Sequence, residues 1–428
     1  MRASQIAIVA LCIALNALDG FDVLAISFAA PGIAKEWGID RATLGVVLSM
    51  ELLGMAAGSV LIGNVADRIG RRPTILGCLI VMAIGMIAAT FASGVETLSA
   101  ARLFTGLGIG GMLSSTSAMA AEYSNDRRRG LAVSLNIAGY STGAILGGLA
   151  ASALLEGSDW RVVFMLGGGA TLAMLPLVFL LLPESIESLL ARRPSDALKR
   201  VNATLKRIGR PAIAALPEAA GRTPAPSILS LFSRRYRVVT VLLTIAYFAQ
   251  IMFFYYIQKW IPKIVVDMGF DAASAGRVLV AANVGNLAGA ITIGLISQRF
   301  RLRPLVIGAM LLGVVAIGVF GLGFRDLVQL SIAAAVGAFF INAGAVGLYP
   351  ILAATYPAAL RASGTGFVIG VGRGGSAVGP VVAGALFASG AGLLTVSLTM
   401  GLGGVIAATM LVLLPRGERR LNEAGAPA

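Results

Sequence analysis

Histidine is absent from this 428-residue chain, cysteine occurs twice, and charged residues make up only 13% of the total, about half the share found in soluble domains. Without histidine the chain lacks the usual proton shuttle and the commonest metal ligand, so proton chemistry must rely on carboxylates. Cys12 and Cys78 lie in separate apolar runs, which is typical of packing residues. We therefore expect no metal, no cofactor and no enzymatic centre.

Apolar residues and glycine are abundant instead. The chain is 57% hydrophobic with 54 glycines, and its mean hydropathy is +0.88. This composition indicates a polytopic membrane protein, because small residues let membrane helices approach closely. The net charge of +14 would suggest nucleic-acid binding in a soluble protein. In a membrane protein it indicates basic cytoplasmic loops, and we expect no nucleic-acid partner.

Twelve apolar segments follow one another along the chain. They lie near residues 6–30, 42–64, 73–93, 96–120, 130–154, 162–182, 238–261, 273–297, 303–323, 327–350, 362–388 and 392–414. The sequence predicts an all-α membrane protein with two six-helix halves, residues 1–182 and 238–414, a basic cytoplasmic linker at 183–237 and a tail at 415–428. Most of the 34 Lys and Arg residues fall in the linker, the even-numbered loops and the termini, which predicts that both termini are cytoplasmic. We expect a bacterial inner (cytoplasmic) membrane location.

Two carboxylates interrupt the first apolar segment. Asp19 and Asp22 are three residues apart, so they share a helix face with Asn16. An ionised group in hydrocarbon costs several kcal/mol. The two aspartates must therefore face a watery cavity, a cation or a proton, and we expect them to couple transport to protons.

A loop motif occurs twice, 231 residues apart, at 63–73 and 294–304, and repeated halves are typical of secondary transporters. The first copy resembles the loop signature G-x-x-x-D-R-x-G-R-R-P of the major facilitator superfamily. The resemblance implies that superfamily's fold, with 12 transmembrane helices in two pseudo-symmetric halves, and the monomer as its usual unit. It also implies a gating loop on the cytoplasmic side, with gating roles for Gly63, Asp67, Arg68, Gly70 and Arg71.

The stretch Asp19-Gly20-Phe21-Asp22 resembles the first-helix motif of the aromatic acid:proton symporters. That resemblance implies import of an aromatic carboxylate of the benzoate/hydroxybenzoate class by proton symport through alternating access. It carries a requirement for uptake over to Asp19 and Asp22, and a role in binding or coupling over to Arg102, Glu122, Arg361 and Arg373. Among these residues we expect proton coupling at Asp19, Asp22 and Glu122, gating at Arg102 and Arg361, and substrate binding at Arg373. Some members use a histidine in the second half, which this chain lacks.

The charged residues inside the segments each leave alternatives open. Arg373 lies about twelve residues inside the eleventh segment and needs an anion, which is either a substrate carboxylate or a first-helix aspartate or Glu51. Arg102 is expected to be structural or gating and paired with a first-helix acid. Glu122 is either a proton site or an ion-pair partner of Arg127, Arg128 or Arg129. For Glu51 a functional role and an ion pair are equally open.

Polar and aromatic residues inside the segments supply the remaining pocket candidates, because rings stack and amides or hydroxyls hydrogen-bond a phenol. The predicted substrate-binding residues, besides Arg373, are Asp22, Asn136, Tyr140, Tyr247, Gln250, Phe254, Tyr255, Asn283, Asn286 and Asn342. The internal repeat places Tyr140 opposite Arg373. Two other functions remain open: a symporter for another organic anion, such as a dicarboxylate or sugar acid, and a proton:drug antiporter of the same fold. The fifth segment lacks the proline-containing glycine motif usual in drug exporters, which favours import.

Overall fold

The computed structural model describes residues 1–125, 127–217 and 228–415, apart from the side chains at positions 63, 64, 67, 358, 359 and 362. Over these ranges the chain is helical, with one short 3-10 turn at Ile228–Phe232 and no strand. The helices are α1 Ala3–Trp37, α2 Arg41–Ile69, α3 Arg71–Thr90, α4 Val95–Glu122, α5 Arg129–Leu154, α6 Arg161–Leu181, α7 Ile186–Arg192, α8 Ala197–Ile208, α9 Arg237–Asp267, α10 Ala272–Ile296, α11 Leu302–Gly321, α12 Leu327–Thr355, α13 Ala358–Gly372, α14 Gly374–Ala388 and α15 Leu393–Leu413.

Every predicted apolar segment lies on a helix. Eleven stretches of the described chain are long and apolar enough to cross a membrane, with Ser363–Ala388 counted as one of them. The fourth predicted segment lies on α4, which has 28 residues and is long enough to cross at 1.5 Å per residue. It is not among the eleven, because Gly, Ser and Thr lower its hydropathy. The chain is a multi-pass membrane protein.

The helices depart from the predicted segments in three places. The seventh segment, predicted to end near residue 261, continues as helix α9 to Asp267. The eleventh segment divides at Arg373, where α13 ends and α14 begins. The linker contains two helices, α7 and α8, although its polar composition predicted none. The predicted tail lies almost wholly outside the described residues.

The chain forms two compact units. Unit 1 comprises Met1–Ile33 and Met50–Gly221, and unit 2 comprises Ala34–Ser49 and Arg222–Ala428. The predicted boundaries at 182 and 238 remain a prediction. Unit 1 includes the two linker helices.

Helix α8 is amphipathic and packs on unit 1 through its apolar face. Val201 and Leu205 are buried while Lys199 and Lys206 are exposed, as the three-to-four-residue spacing of its apolar residues dictates. The Ser4 hydroxyl donates to the carbonyl of Arg207 at 2.8 Å. The first part of the linker is therefore folded against unit 1.

Glycine sets the closest helix contacts in unit 1. A Cβ at Gly20 of α1 would overlap the backbone carbonyl of Tyr140 in α5. A Cβ at Gly106 of α4 would lie 3.0 Å from the Cα of Gly54 in α2. Small residues at both crossings let the backbones touch. These contacts fix which faces of α1, α2 and α4 turn inward.

Candidate functional site

Four charged side chains meet in the interior of unit 1, and we call them the charge cluster: Asp19, Asp22, Glu51 and Arg102. Each is at most 1% exposed. Arg102 Nη2 forms an ion pair with Glu51 Oε1 at 2.5 Å and donates to the backbone carbonyl of Asp22 at 2.8 Å. The guanidinium thus joins α4 to both α2 and α1.

The surroundings of Arg102 restrict it further. Its Nη1 donates to the sulfur of Met86 in α3 at 2.8 Å. The guanidinium carbon lies 5.4 Å from the ring centre of Phe164 in α6, within the range of a cation–π contact. A thioether is a weak acceptor. Arg102 therefore has one anionic partner, Glu51, and its other contacts are with uncharged groups.

The charge cluster contains three carboxylates and one guanidinium. If all four groups were ionised, the buried cluster would carry two uncompensated negative charges, which is very costly in a low-dielectric interior. Within the described part of the chain, neither carboxylate oxygen of Asp19 accepts a hydrogen bond. The same holds for both carboxylate oxygens of Asp22, which faces Gly167 of α6. The buried cluster is therefore most stable when Asp19 and Asp22 are protonated and Glu51 stays paired with Arg102.

The ion-pair partner of Arg102 differs from the prediction. The sequence predicts a first-helix acid, whereas the guanidinium pairs with Glu51 and contacts α1 through the Asp22 carbonyl. The reason is the close crossing of α2 and α4 at Gly54 and Gly106, which turns Glu51 toward Arg102. Glu51, which was one of the alternative anions for Arg373, therefore pairs with Arg102.

Two of the predicted substrate-binding residues lie on α5. The side chain of Asn136 is fully buried. Its backbone carbonyl accepts a hydrogen bond from Asn16 Nδ2 of α1, and its Nδ2 donates to the Ser117 hydroxyl at 3.2 Å. Tyr140 is half-buried, with its backbone against Gly20. These contacts bring α5 beside the stretch of α1 that carries the two aspartates.

In unit 2 five amide side chains connect α9, α10 and α12, and we call them the amide cluster. They are Gln250, Gln258, Asn283, Asn286 and Asn342. Asn283 Oδ1 accepts from Gln258 Nε2 at 3.0 Å and from Asn286 Nδ2 at 3.3 Å. The structure therefore brings together four predicted residues with one that the sequence reasoning passed over.

Gln258 had a signal in the sequence. It lies eight residues after Gln250, so the two amides share roughly one face of α9. It also lies inside the seventh predicted segment, 238–261, where an amide within the membrane needs a partner.

A tyrosine pair lies close to Arg373. The hydroxyls of Tyr247 in α9 and Tyr349 in α12 are 3.0 Å apart, and their ring centres are 5.9 Å apart. Arg373 is half-buried at the junction of α13 and α14, and a Cβ added to the preceding residue, Gly372, would overlap the ring of Tyr247. Tyr349 was missed because a single aromatic in an apolar helix gives no spacing signal.

Arg373 forms no ion pair with any carboxylate that the structure describes. Its backbone carbonyl accepts from the Ser376 amide at 2.9 Å and from the Ser376 hydroxyl at 2.6 Å, which fixes the turn at the helix junction. A half-buried guanidinium without an anion favours binding one.

The predicted Phe254 and Tyr255 are half-buried neighbours in α9 with ring centres 5.2 Å apart.

The predicted gating loop contacts the start of the linker within unit 1. Arg71 N–H donates to Glu184 Oε1 at 2.9 Å, and Arg192 Nη1 donates to the Ile69 carbonyl at 2.6 Å. Arg68 and Arg361 are exposed. Gly63 and Asp67 lie within the backbone range of α2, but their side chains are outside the described residues.

Glu122 lies at the end of α4, and its partner differs from the predicted ones. It pairs with Arg71 at 3.3 Å, not with Arg127, Arg128 or Arg129. It also accepts from the Ser185 hydroxyl at 2.6 Å and from backbone amides at the start of α7, including that of Glu187 at 3.1 Å. The turn into α7 brings these donors to it, which no spacing in the sequence specifies.

Gly70 gives a direct test of this loop. Its φ is +109°, and an added Cβ would lie 2.6 Å from Arg192 Nη2. We expect Gly70→Ala to slow transport severalfold and to lower the melting temperature, because a side chain costs about 1–3 kcal/mol in this backbone region and displaces Arg192. Uptake rate and thermal unfolding measure both effects.

Gly77→Ala is the matched control for Gly70→Ala. Gly77 lies in α3, with no atom within 4 Å of an added Cβ. Alanine is the better helix former, so this variant should retain transport and stability. Equal behaviour of the two variants would show that the conformation of Gly70 does not matter.

Comparison with known proteins agrees with this architecture. The profile of the Major Facilitator Superfamily matches residues 11–324 and 243–427. The gallate transporter of Pseudomonas putida is 31% identical over 99% of this chain and 94% of its own. The 4-hydroxybenzoate transporter PcaK of Pseudomonas putida is 30% identical over 87% of this chain and 84% of its own. The inward-open xylose transporter XylE from E. coli superposes with a TM-score of 0.75 at 17% identity, covering 96% of this chain and 97% of that one, which supports the fold alone.

Proposed function

Because the chain belongs to the major facilitator superfamily, we propose that it is a secondary active transporter that imports an aromatic carboxylate together with protons. The family predicted from residues 63–73 is confirmed. The substrate class follows from the relatives, which transport gallate, 4-hydroxybenzoate and other aromatic acids. Proton coupling is our inference from the charge cluster.

The excess of carboxylates in the charge cluster is the observation that carries proton coupling. The cluster holds three acids and one guanidinium, and each of the four side chains is at most 1% exposed. The guanidinium pairs with Glu51, so the buried cluster favours protons on the two aspartates. A monovalent anion entering a cell at about −100 mV costs about 2.3 kcal/mol. One proton carried with it cancels that cost and adds the pH gradient. Asp19 and Asp22 are the proton carriers in this proposal, and Glu51 holds Arg102 while they are protonated.

Arg373 is the proposed site for the substrate carboxylate. It has no ion pair in the described chain, the preceding residue Gly372 packs against the ring of Tyr247, and a guanidinium can bind a carboxylate through two parallel hydrogen bonds. The tyrosine pair supplies rings and hydroxyls for an aromatic substrate. Substrate binding and proton binding thus use different side chains, in unit 2 and unit 1 respectively.

The transport cycle follows the alternating-access scheme of such folds. Asp19 or Asp22 takes a proton from outside, the acid binds at Arg373, and the protein then opens to the cytoplasm. Loss of the proton there restores the negative charge in unit 1. We place the protein in the bacterial inner membrane as a monomer, with both termini in the cytoplasm.

Uptake into proteoliposomes tests this function. A panel of labelled benzoate, hydroxybenzoates, dicarboxylates and sugar acids is offered under an imposed pH gradient, acid outside. Accumulation of an aromatic acid that a protonophore collapses is the expected result. Accumulation of only non-aromatic anions would overturn the substrate class, and export of cationic dyes with no anion uptake would indicate the antiporter.

Removing the charge of Arg373 should weaken substrate binding with little effect on folding. We expect Arg373→Gln to raise the half-saturating substrate concentration about 10- to 100-fold, the effect of losing one hydrogen-bonded charge pair. Arg373→Lys should recover part of the loss, since lysine keeps the charge but not the planar fork. Concentration-dependent uptake measures both variants.

Arg325→Gln is the control for Arg373→Gln, because it removes an exposed positive charge from the same unit. It should leave the half-saturating concentration unchanged. If Arg373→Gln also leaves it unchanged, the substrate carboxylate binds elsewhere.

A further inference from the structure

We propose that the amide cluster reads hydroxyl groups on the aromatic ring and makes the transporter selective for ring-hydroxylated acids. Gln258 and Asn286 are the specificity-determining residues, with Gln250 as a third. This inference rests on the proposed function and deepens it, since it concerns which aromatic acids bind. It also assigns a role to Gln258, which no motif indicated.

The orientation of the amides is fixed by their own hydrogen bonds. Asn283 Nδ2 donates to the carbonyl of Leu279 at 2.9 Å, so its oxygen must face the other amides. Gln258 and Asn286 both donate to that oxygen with their nitrogens. An amide that donates in this way turns its own oxygen elsewhere, and neither can be reversed without losing the bond.

A second chain of bonds fixes Gln250 in the same manner. Its Nε2 donates to the carbonyl of Ile341 at 2.8 Å, which can only accept. The next residue, Asn342, donates through Nδ2 to the backbone carbonyl of Asn286 at 2.7 Å. The two chains of bonds therefore meet at α12 and hold α9, α10 and α12 as one frame.

This hydrogen-bond network leaves three amide oxygens without a donor. Gln250 Oε1, Gln258 Oε1 and Asn286 Oδ1 are buried and have no donor in the ranges that the structure describes. The three side chains are 0%, 3% and 3% exposed. A buried acceptor without a donor is unfavourable, so the frame is poised to bind a group that donates.

The chemistry of these oxygens defines the ligand. A phenolic hydroxyl is a neutral donor attached to a flat ring, and it satisfies an amide oxygen without bringing a charge into the membrane. A carboxylate, an ether oxygen or a ring hydrogen cannot do so. The amide cluster therefore favours hydroxybenzoates over benzoate and over their methyl ethers, while Arg373 binds the carboxylate common to all of them.

Matched hydroxy and methoxy acids test the proposal on the full-length protein in proteoliposomes. The measured quantity is the inhibition constant against uptake of a labelled aromatic acid, for benzoate, 4-hydroxybenzoate, 3,4-dihydroxybenzoate and the 4-methoxy and 3,4-dimethoxy counterparts. We expect the wild type to prefer each hydroxy acid over its methyl ether by at least about tenfold. Gln258→Met and Asn286→Leu should each reduce that ratio about tenfold and change the benzoate constant little.

Tyr256→Phe is the control variant, since it removes a buried hydrogen bond of α9, to Ser397 at 2.9 Å, outside the amide cluster. It should keep the wild-type ratio. If Gln258→Met or Asn286→Leu fails to give folded protein, Gln250→Met decides, because it breaks one bond to a backbone carbonyl. An unchanged ratio in a folded variant, or a wild type without preference, would reduce the cluster to interhelical packing. Failure of all aromatic uptake would instead overturn the proposed function.

Discussion

Replacing Asp19 and Asp22 together by asparagine is expected to abolish accumulation driven by a pH gradient. Asparagine is nearly isosteric with a protonated aspartate, so the double variant imitates the state with protons bound and cannot release them. Accumulation should fall to the level of empty liposomes. Exchange of internal for external substrate needs no net proton movement, so it should persist and show that the protein is folded and binds substrate.

Asp40→Asn is the matched control for the two aspartates. Asp40 lies outside the spans and is exposed, and its Oδ1 accepts from the Thr43 amide at 2.9 Å at the start of α2. Hydrogen bonds from Thr43 hold the pKa of Asp40 below its usual range, so it stays ionised at every pH where uptake is measured. Asparagine is an equally good N-cap. Accumulation that survives in the double aspartate variant would rule out both residues as proton carriers.

Arg102 should give the largest loss of stability among single substitutions in unit 1. Arg102→Met removes the only positive charge of the charge cluster and leaves Glu51 buried without its partner. Breaking such a buried pair on one side costs about 3–5 kcal/mol. Thermal unfolding in detergent can be followed with a thiol-reactive dye, because Cys12 and Cys78 are both buried and react only when the protein opens.

The double variant Arg102→Met with Glu51→Gln distinguishes the ion pair from simple packing. With the partner charge also removed, most of the lost stability should return, whereas two independent losses would add. Transport should remain defective in both variants, because the charge balance around Asp22 is changed. A double variant no more stable than Arg102→Met would mean that Glu51 is not the principal partner of Arg102.

The fold could be predicted from the sequence because length and hydropathy decide it. A bilayer requires about twenty apolar residues per helix, and all twelve such segments lie on helices. The two short helices of the linker could not be predicted in this way. Helix α7 has only seven residues. Helix α8 has a narrow apolar face and is otherwise polar, so its composition resembles that of a linker. Their folding depends on contacts with unit 1, such as that between Ser4 and Arg207.

The residues of the candidate site could be predicted better than their partners. Buried charges and amides are visible in the sequence because they are rare in apolar segments. Which of them meet depends on the rotation of each helix about its axis, and no local pattern fixes that rotation. Arg102 meets Glu51 because Gly54 and Gly106 let two backbones touch. Gln258 joins Asn283 because the rotations of α9 and α10 turn these two amides toward each other.

The contact of Gly20 with α5 limits how this transporter can be re-engineered. Gly20 lies between the two aspartates in sequence, and a Cβ there would lie 3.0 Å from the Cα of Tyr140 and overlap its carbonyl. A mutant library that randomises residues 19–22 would thus change two properties at once, the acid–base chemistry of the aspartates and the packing of α1 against α5. Most of its members would fail for steric reasons. Directed evolution of the driving ion should hold the glycine fixed and vary the acids alone.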